Sequence, residues 1–225
     1  MAKKTPYIVA YDIDDTMFAF HARFQQWLEE SHGVDLSQPR TNAFRYNHRY
    51  PDIEIDWADS IDVFTLNESA ELMFPEVGLA KHLDRFSEII RPIAITSRPK
   101  HHREQTEALI RRYFSKHFSE IEAQLIMSDE LVIDGEKPTK LDICRDLGAI
   151  VIFDDAVHNI ADFVKTGSNT KPFLFRNEYT SWNFTPEQLP FGVENVVELP
   201  EGIEVVSGWE DASRKLGQYI DEIEG

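Results

Sequence analysis

Two groups of carboxylates follow short apolar runs. Asp12, Asp14 and Asp15 come directly after Tyr7-Ile8-Val9-Ala10-Tyr11, and Asp154-Asp155 come after Ala149-Ile150-Val151-Ile152-Phe153. An apolar run that breaks into acids reads as a buried parallel strand reaching its C-terminal edge. Where two such strands are neighbours, their carboxylates converge on one small volume, and several like charges there are costly unless a cation neutralises them. Hard oxygen ligands of this kind suit Mg²⁺, which keeps some of its waters and binds beside a substrate phosphate. Asp also favours turns, so one cluster alone is explained by a strand that simply ends. Two clusters, taken with the motifs below, carry the metal-site expectation.

The elements that would position these acids are legible in the same way. Further apolar runs occur at Pro92-Ile93-Ala94-Ile95, Leu125-Ile126-Met127 and Phe173-Leu174-Phe175. Between them lie helical stripes: Phe20, Phe24, Trp27 and Leu28; Leu79, Leu83 and Phe86; Leu141, Cys144 and Leu147; Ile160, Phe163 and Val164. The last two stripes end at Gly148 and Gly167, residues suited to close a helix. Strands alternating with helices predict an α/β domain, a Rossmann-like three-layer parallel sheet whose strand ends gather at one ligand-binding edge. From about Met17 to Arg85 no comparable strand run occurs. This aromatic, charged and mostly helical interval is expected as a cap inserted after the first strand, with residues 1–16 and 86–225 forming the core and 17–85 the cap.

Bulk properties exclude several classes of partner. The 225 residues include 42% hydrophobic and 12% aromatic side chains, enough for a real core. A formal charge of −17, spread along the chain, repels polyanions and argues against duplex nucleic acid as a partner. A small anion stays compatible with it if a metal and local Lys or Arg reverse the sign inside one pocket. No apolar run reaches the roughly 20 residues that cross a bilayer, so no membrane partner is expected. The lone Cys144 cannot form an internal disulfide, which points to a reducing cytoplasm, and it falls on a helical apolar stripe.

Asp12-Ile13-Asp14-Asp15-Thr16 after an apolar strand resembles the D-x-D-x-T signature of the haloacid dehalogenase-like (HAD) superfamily. Ile93-Ala94-Ile95-Thr96-Ser97 resembles its second motif, Lys140 opening a helix its third, and Ile152-Phe153-Asp154-Asp155 its fourth. The ordered set implies roles residue by residue. Asp12 would attack phosphorus and ligate Mg²⁺; Asp14 would serve as general acid and then base, its carbonyl completing the metal shell. Thr96 and Ser97 would bind the phosphoryl group, Lys140 would offset its charge, Asp154 would ligate Mg²⁺ and Asp155 would support it. Lys137 is a rival to Lys140; Thr139 as a helix cap would leave Lys140 in the first turn, aimed at the strand edge. Asp at position 14 favours hydrolysis of phosphate monoesters over dehalogenation in this family's pattern.

Thr96-Ser97-Arg98-Pro99, the long interval after the first motif, Met73-Phe74-Pro75, His158-Asn159-Ile160 and Ser207-Gly208-Trp209-Glu210 are similar to the 5′-nucleotidase branch, which includes the 5′(3′)-deoxyribonucleotidases. That resemblance implies a (deoxy)nucleoside monophosphate as substrate and aromatic cap residues against the base. Phe44 and Tyr46, in the irregular middle of the interval, and Arg98 are candidates, with Arg45 and Arg49 as further contacts. Phe20, Phe24 and Trp27 keep helical spacing and read as packing. The alternatives are a phosphatase for another small substrate, such as a sugar phosphate, and a non-catalytic binding or regulatory protein on the same fold. A homodimer is compatible with such folds. His101-His102 has no evident third ligand in sequence and reads as an exposed helix start, and His21, His48 and His158 as surface or packing residues.

Overall fold

A computed structural model describes residues 5–37, 39, 45–132, 135–176 and 199–225. Six strands, β1 (Tyr7–Asp12), β2 (Ile90–Thr96), β3 (Leu125–Met127), β4 (Val151–Asp154), β5 (Lys171–Arg176) and β6 (Glu204–Ser207), form one sheet in the order β3-β2-β1-β4-β5-β6. All five pairings are parallel. The order reverses between β1 and β4, the position where an open α/β sheet leaves a crevice beyond its strand ends.

Both sheet faces are covered, and the side chains divide between them with the two-residue period of a strand. Val9, Tyr11, Ala94, Val151, Phe153, Phe173 and Phe175 enter one apolar cluster, which α5 (Leu79–Phe86), α6 (Arg103–Phe114), α7 (Ile121–Gln124) and α10 (Gly208–Glu224) complete. Ala10, Ile93, Ile95, Ile152 and Leu174 enter the other, against α8 (Lys140–Leu147) and α9 (Val157–Lys165). The α/β class expected from alternating strand and helix patterns is the observed one. Cys144 is buried in the second cluster.

Between β1 and α5 the chain forms a helical insert: α1 (Phe20–His32), α2 (Tyr46–Arg49), α3 (Trp57–Val63), a π turn at Phe64–Glu68 and α4 (Ser69–Leu72). Phe24 packs on Phe64 at 5.5 Å between ring centroids, and Tyr46 lies nearly parallel to Trp57 at 5.2 Å. Asp56 starts α3 by accepting from the Ala58 and Asp59 amides. α5 falls within the interval expected as cap, yet its face packs on the sheet layer. The Tyr11 hydroxyl meets His82 Nε2 at 3.0 Å, and His82 Nδ1 meets Ser213 Oγ at 2.8 Å. Because Ser213 donates its own proton to the Trp209 carbonyl, its oxygen accepts from Nδ1–H, and Tyr11 donates to Nε2. A neutral imidazole thus joins β1, α5 and α10, and burial pushes its pKa down to about 3.

No helix of the described residues is long and apolar enough to cross a membrane.

Candidate active site

Register brings the acids together. Tyr11 pairs with Phe153, so the next residues, Asp12 and Asp154, end adjacent strands at the same level; Asp12 pairs with Ile95, one step before Thr96. Carboxylate oxygens of Asp12, Asp154 and Asp155 lie within 4.8 Å of one another. Beyond Asp12 the chain turns tightly, with the Met17 and Phe18 amides both bonded to the Ile13 carbonyl. Asp15 takes a left-handed φ of 55° to make this turn, at a cost of about 1–2 kcal/mol for a residue with a Cβ. Its Oδ1 accepts from the His21 amide at 2.8 Å, which fastens the start of α1 to the site.

Lys140 enters from the first residue of α8. Thr139 and Asp142 form a capping box, each side chain accepting from the other's backbone amide, and this fixes the helix start beside the sheet edge. The ammonium reaches Asp12 Oδ1 at 2.5 Å and Asp154 Oδ2 at 2.6 Å. Burial alone would lower its pKa, but the two carboxylates outweigh that and raise it. Lys137, the rival, instead donates to the Ser97 carbonyl at 3.2 Å.

Asp154 is held on three sides. Its Oδ1 accepts from the Ala156 amide at 2.8 Å, and Asn159 Nδ2 lies 3.1 Å from both oxygens, beside the contact from Lys140. Asn159 was not singled out as a site residue in the sequence. The available signals are the His158-Asn159-Ile160 pattern and the place of Asn159 in the first turn of α9, five residues after Asp154. Burial pushes Asp12 up to about 7 despite Lys140, and raises Asp15 and Asp155 as well. The buried carboxylates of Asp12, Asp154 and Asp155 gather around the Lys140 ammonium, while Asp14 is engaged by Arg98 and Asp15 lies within the field of the buried Arg49 guanidinium. An oxygen-rich, over-negative cluster of this kind fits a hard divalent cation such as Mg²⁺.

Arg98 makes a two-pronged contact with Asp14, from Nη2 to Oδ1 at 2.5 Å and from Nε to Oδ2 at 2.9 Å. Its Nη1 donates to Thr106 Oγ1 on α6 at 3.0 Å. The Arg98 amide donates to Thr96 Oγ1 at 3.1 Å, which leaves the Thr96 hydroxyl proton to be given elsewhere. Ser97 is exposed at the same loop.

A cavity of about 900 Å³ lies between this edge and the helical insert. Asp12, Asp14, Thr96, Ser97, Lys140 and Asp155 line its floor, while Phe20, Tyr46, Ile55, Trp57 and Ile61 line it from the insert. Tyr46, expected to contact substrate, is in this wall, but its ring already lies against His21 and Trp57 at near-parallel angles. Its hydroxyl sits 2.5 Å from His21 Nδ1, and Arg49 Nη1 is 3.1 Å from His21 Nε2. A guanidinium only donates, so Nε2 accepts and Nδ1–H donates to Tyr46; the phenol's own proton is then turned to another acceptor. Burial keeps the His21 ring neutral, with a pKa lowered to about 3. His21 is thus a packing residue, as one of the two expected readings had it, buried between Tyr46 and Arg49. Arg45 also lines the cavity, and Phe44 lies outside the described residues.

No protein-family model matches the chain, and no curated protein matches it. Solved structures do match in fold. A HAD family hydrolase from Deinococcus radiodurans R1, determined with bound phosphate and sodium, aligns with a TM-score of 0.60 and 14% identity over 96% of this chain and 97% of that one. A conserved haloacid dehalogenase-like protein of unknown function from Agrobacterium tumefaciens str. C58 aligns at 0.57 and 13% over 98% and 100%. A predicted phosphatase from Clostridium acetobutylicum aligns at 0.57 and 13% over 96% and 100%. With identities this low, the likeness concerns architecture over nearly the whole chain: this protein has the fold of the haloacid dehalogenase-like hydrolases.

Proposed function

We propose that the chain is a member of the HAD superfamily and a Mg²⁺-dependent phosphatase that hydrolyses a small phosphomonoester through an aspartyl-phosphate on Asp12. The observation that carries this reading is Lys140, whose ammonium touches both Asp12 and Asp154 at the floor of a cavity large enough for a small molecule. A lysine in that position offsets charge on a nucleophilic carboxylate and on an approaching phosphoryl group together. Asp12 attacks phosphorus; the Thr96 hydroxyl, with Ser97 beside it, donates to a phosphoryl oxygen. Asp14, steered by Arg98, protonates the leaving oxygen and then takes the proton of the hydrolytic water. Asp12, Asp154 and the Asp14 carbonyl would hold Mg²⁺, with Asp155 in support. When bound, the ion supplies the positive charge that keeps these carboxylates ionised beside a phosphate dianion.

The insert acts as a cap of α1 to α4, with the boundary to the core before α5, because α5 packs on the sheet. Its wall favours a substrate with a planar, partly apolar leaving group. Phe20, Trp57, Ile55 and Ile61 offer apolar surface, and Tyr46, with Arg45, Asn47 and Thr65 on the same side, offers directed polar contacts. A nucleoside or deoxynucleoside monophosphate meets both requirements, and Tyr46 contributes a donor to its base or sugar; Arg98 acts on Asp14, not on the base. Phosphate release with Mg²⁺ from nucleoside 5′- and 3′-monophosphates, measured beside sugar phosphates, tests the reading. A clear nucleotide preference is expected. Activity on sugar phosphates alone would overturn the substrate class, and no release from any of them would favour a binding protein on this fold.

A further inference from the structure

Away from the acid cluster, the structure assembles a second group of ligating atoms that the sequence does not reveal. His101 and His102 follow Pro99 in a short 3₁₀ turn at the start of α6, and Asp62 stands in α3 of the insert. The Nε2 atoms of His102 and His101 lie 3.0 Å from Asp62 Oδ1 and 3.4 Å from Asp62 Oδ2, respectively. All three residues can direct one ligand atom to within 4.8 Å of the others. His102 is only 1% exposed, and neither of its ring nitrogens makes a hydrogen bond; the carboxylate is close to Nε2 but off the line that a hydrogen bond requires. A buried polar group in that condition destabilises the fold unless something binds it. Burial also favours the neutral ring, which is the ligating form.

We propose that Asp62, His101 and His102 form a second metal site, for a borderline transition-metal ion such as Zn²⁺, that ties α3 of the insert to the turn after β2. Two imidazole nitrogens and one carboxylate oxygen are a ligand set that suits Zn²⁺, whereas the all-oxygen cluster at Asp12 suits Mg²⁺. Ligand atoms about 2.0–2.1 Å from a tetrahedral ion stand on the order of 3.3 Å apart, and each imidazole nitrogen lies at close to that distance from one oxygen of the Asp62 carboxylate. The ion would give His102 Nε2 a well-directed partner where the Asp62 carboxylate is now close but poorly aligned. It would also link α3 to the turn after β2 at the cavity wall, where Asp62 and His102 both contribute. Filling the site would hold the insert closed above Asp12.

The full chain, stripped of metal and returned to saturating Mg²⁺, should be titrated with Co²⁺ as a spectroscopic stand-in for Zn²⁺. One equivalent is expected to give the strong visible absorption of a low-coordinate nitrogen-ligated ion. The band should survive Asp154→Asn and vanish in Asp62→Asn and His102→Gln. Asp62 is 44% exposed, so Asp62→Asn keeps the test available if His102→Gln does not fold. Zn²⁺ added over Mg²⁺ should also raise the unfolding temperature of the wild type and leave Asp62→Asn unchanged. Only the weak absorption of six-coordinate Co²⁺, or a strong band that persists in Asp62→Asn, would overturn the proposal.

Discussion

Arg98 grips both carboxylate oxygens of Asp14 although 84 positions separate them in the chain. The guanidinium is itself anchored, donating to Thr106 on α6 and facing the Phe20 ring at 5.8 Å. The direction in which Asp14 points is therefore set by β2 and α6 as much as by its own turn. In the proposed reaction Asp14 must meet the leaving oxygen, so its orientation bears on rate more than on affinity.

Replacing Arg98 by Lys keeps the charge and loses the planar fork. Arg98→Lys is expected to lower kcat by about 10- to 100-fold, equivalent to roughly 1.4–2.8 kcal/mol of transition-state stabilisation, with KM little changed. Steady-state kinetics decide this; a kcat within twofold of wild type would mean that the fork does not position the acid.

Metal removal should act on stability as well as on turnover. Chelation should stop phosphate release and Mg²⁺ restore it. At 100 times its dissociation constant, Mg²⁺ should add about 2.7 kcal/mol to unfolding free energy, because it binds only the folded cluster. Asp154→Asn removes a proposed ligand and a partner of Lys140, and its unfolding curve should no longer respond to Mg²⁺. Metal-independent turnover would remove the site.

Tyr46→Phe deletes a single hydroxyl and leaves the packing on Trp57 and His21. If that hydroxyl meets the substrate, KM should rise by about 10-fold with kcat nearly intact, the loss of one hydrogen bond of about 1.5 kcal/mol. Equal losses on a nucleotide and on a minimal phosphomonoester lacking a base and sugar would argue against that contact.

The His82 link makes a prediction about pH. Its folded pKa of about 3 lies below the ordinary 6.5 expected of the unfolded chain. As pH falls below 6.5 the unfolded chain takes up this proton first, so the stability that depends on a neutral His82 drains away until about pH 3. From pH 7 to pH 5, the gap in unfolding free energy between wild type and His82→Gln should shrink by about 2 kcal/mol, at 1.36 kcal/mol per unit over the 1.5 units below 6.5. His21, depressed for the same reason, is present in both proteins and cancels. Denaturant titrations at the two pH values check it, and a constant gap would contradict the neutral, buried assignment.

Much of the sheet was legible because a parallel strand covered on both faces writes a continuous apolar run, and the acids that close β1 and β4 mark its edge directly. Lys140 was legible through Thr139, since a capping residue fixes where a helix begins. Arg98 on Asp14 was not, because an exposed-looking arginine after a strand carries no mark of the carboxylate it will meet. Asp62 beside His102 escaped for the same reason: the two lie 40 positions apart, on α3 and at the turn before α6. The packing of α5 on the sheet was hidden differently. Its amphipathic stripe announces a buried face without saying which layer covers it.

The proposed reaction turns on a covalent step at Asp12. The most direct measurement is mass spectrometry of the protein quenched in acid during turnover of a nucleoside monophosphate with Mg²⁺. A phosphoryl group on the peptide carrying Asp12, released by hydroxylamine and absent from Asp12→Asn, is the predicted result. A steady turnover that leaves Asp12 unmodified, or that persists in a folded Asp12→Asn protein, would contradict it.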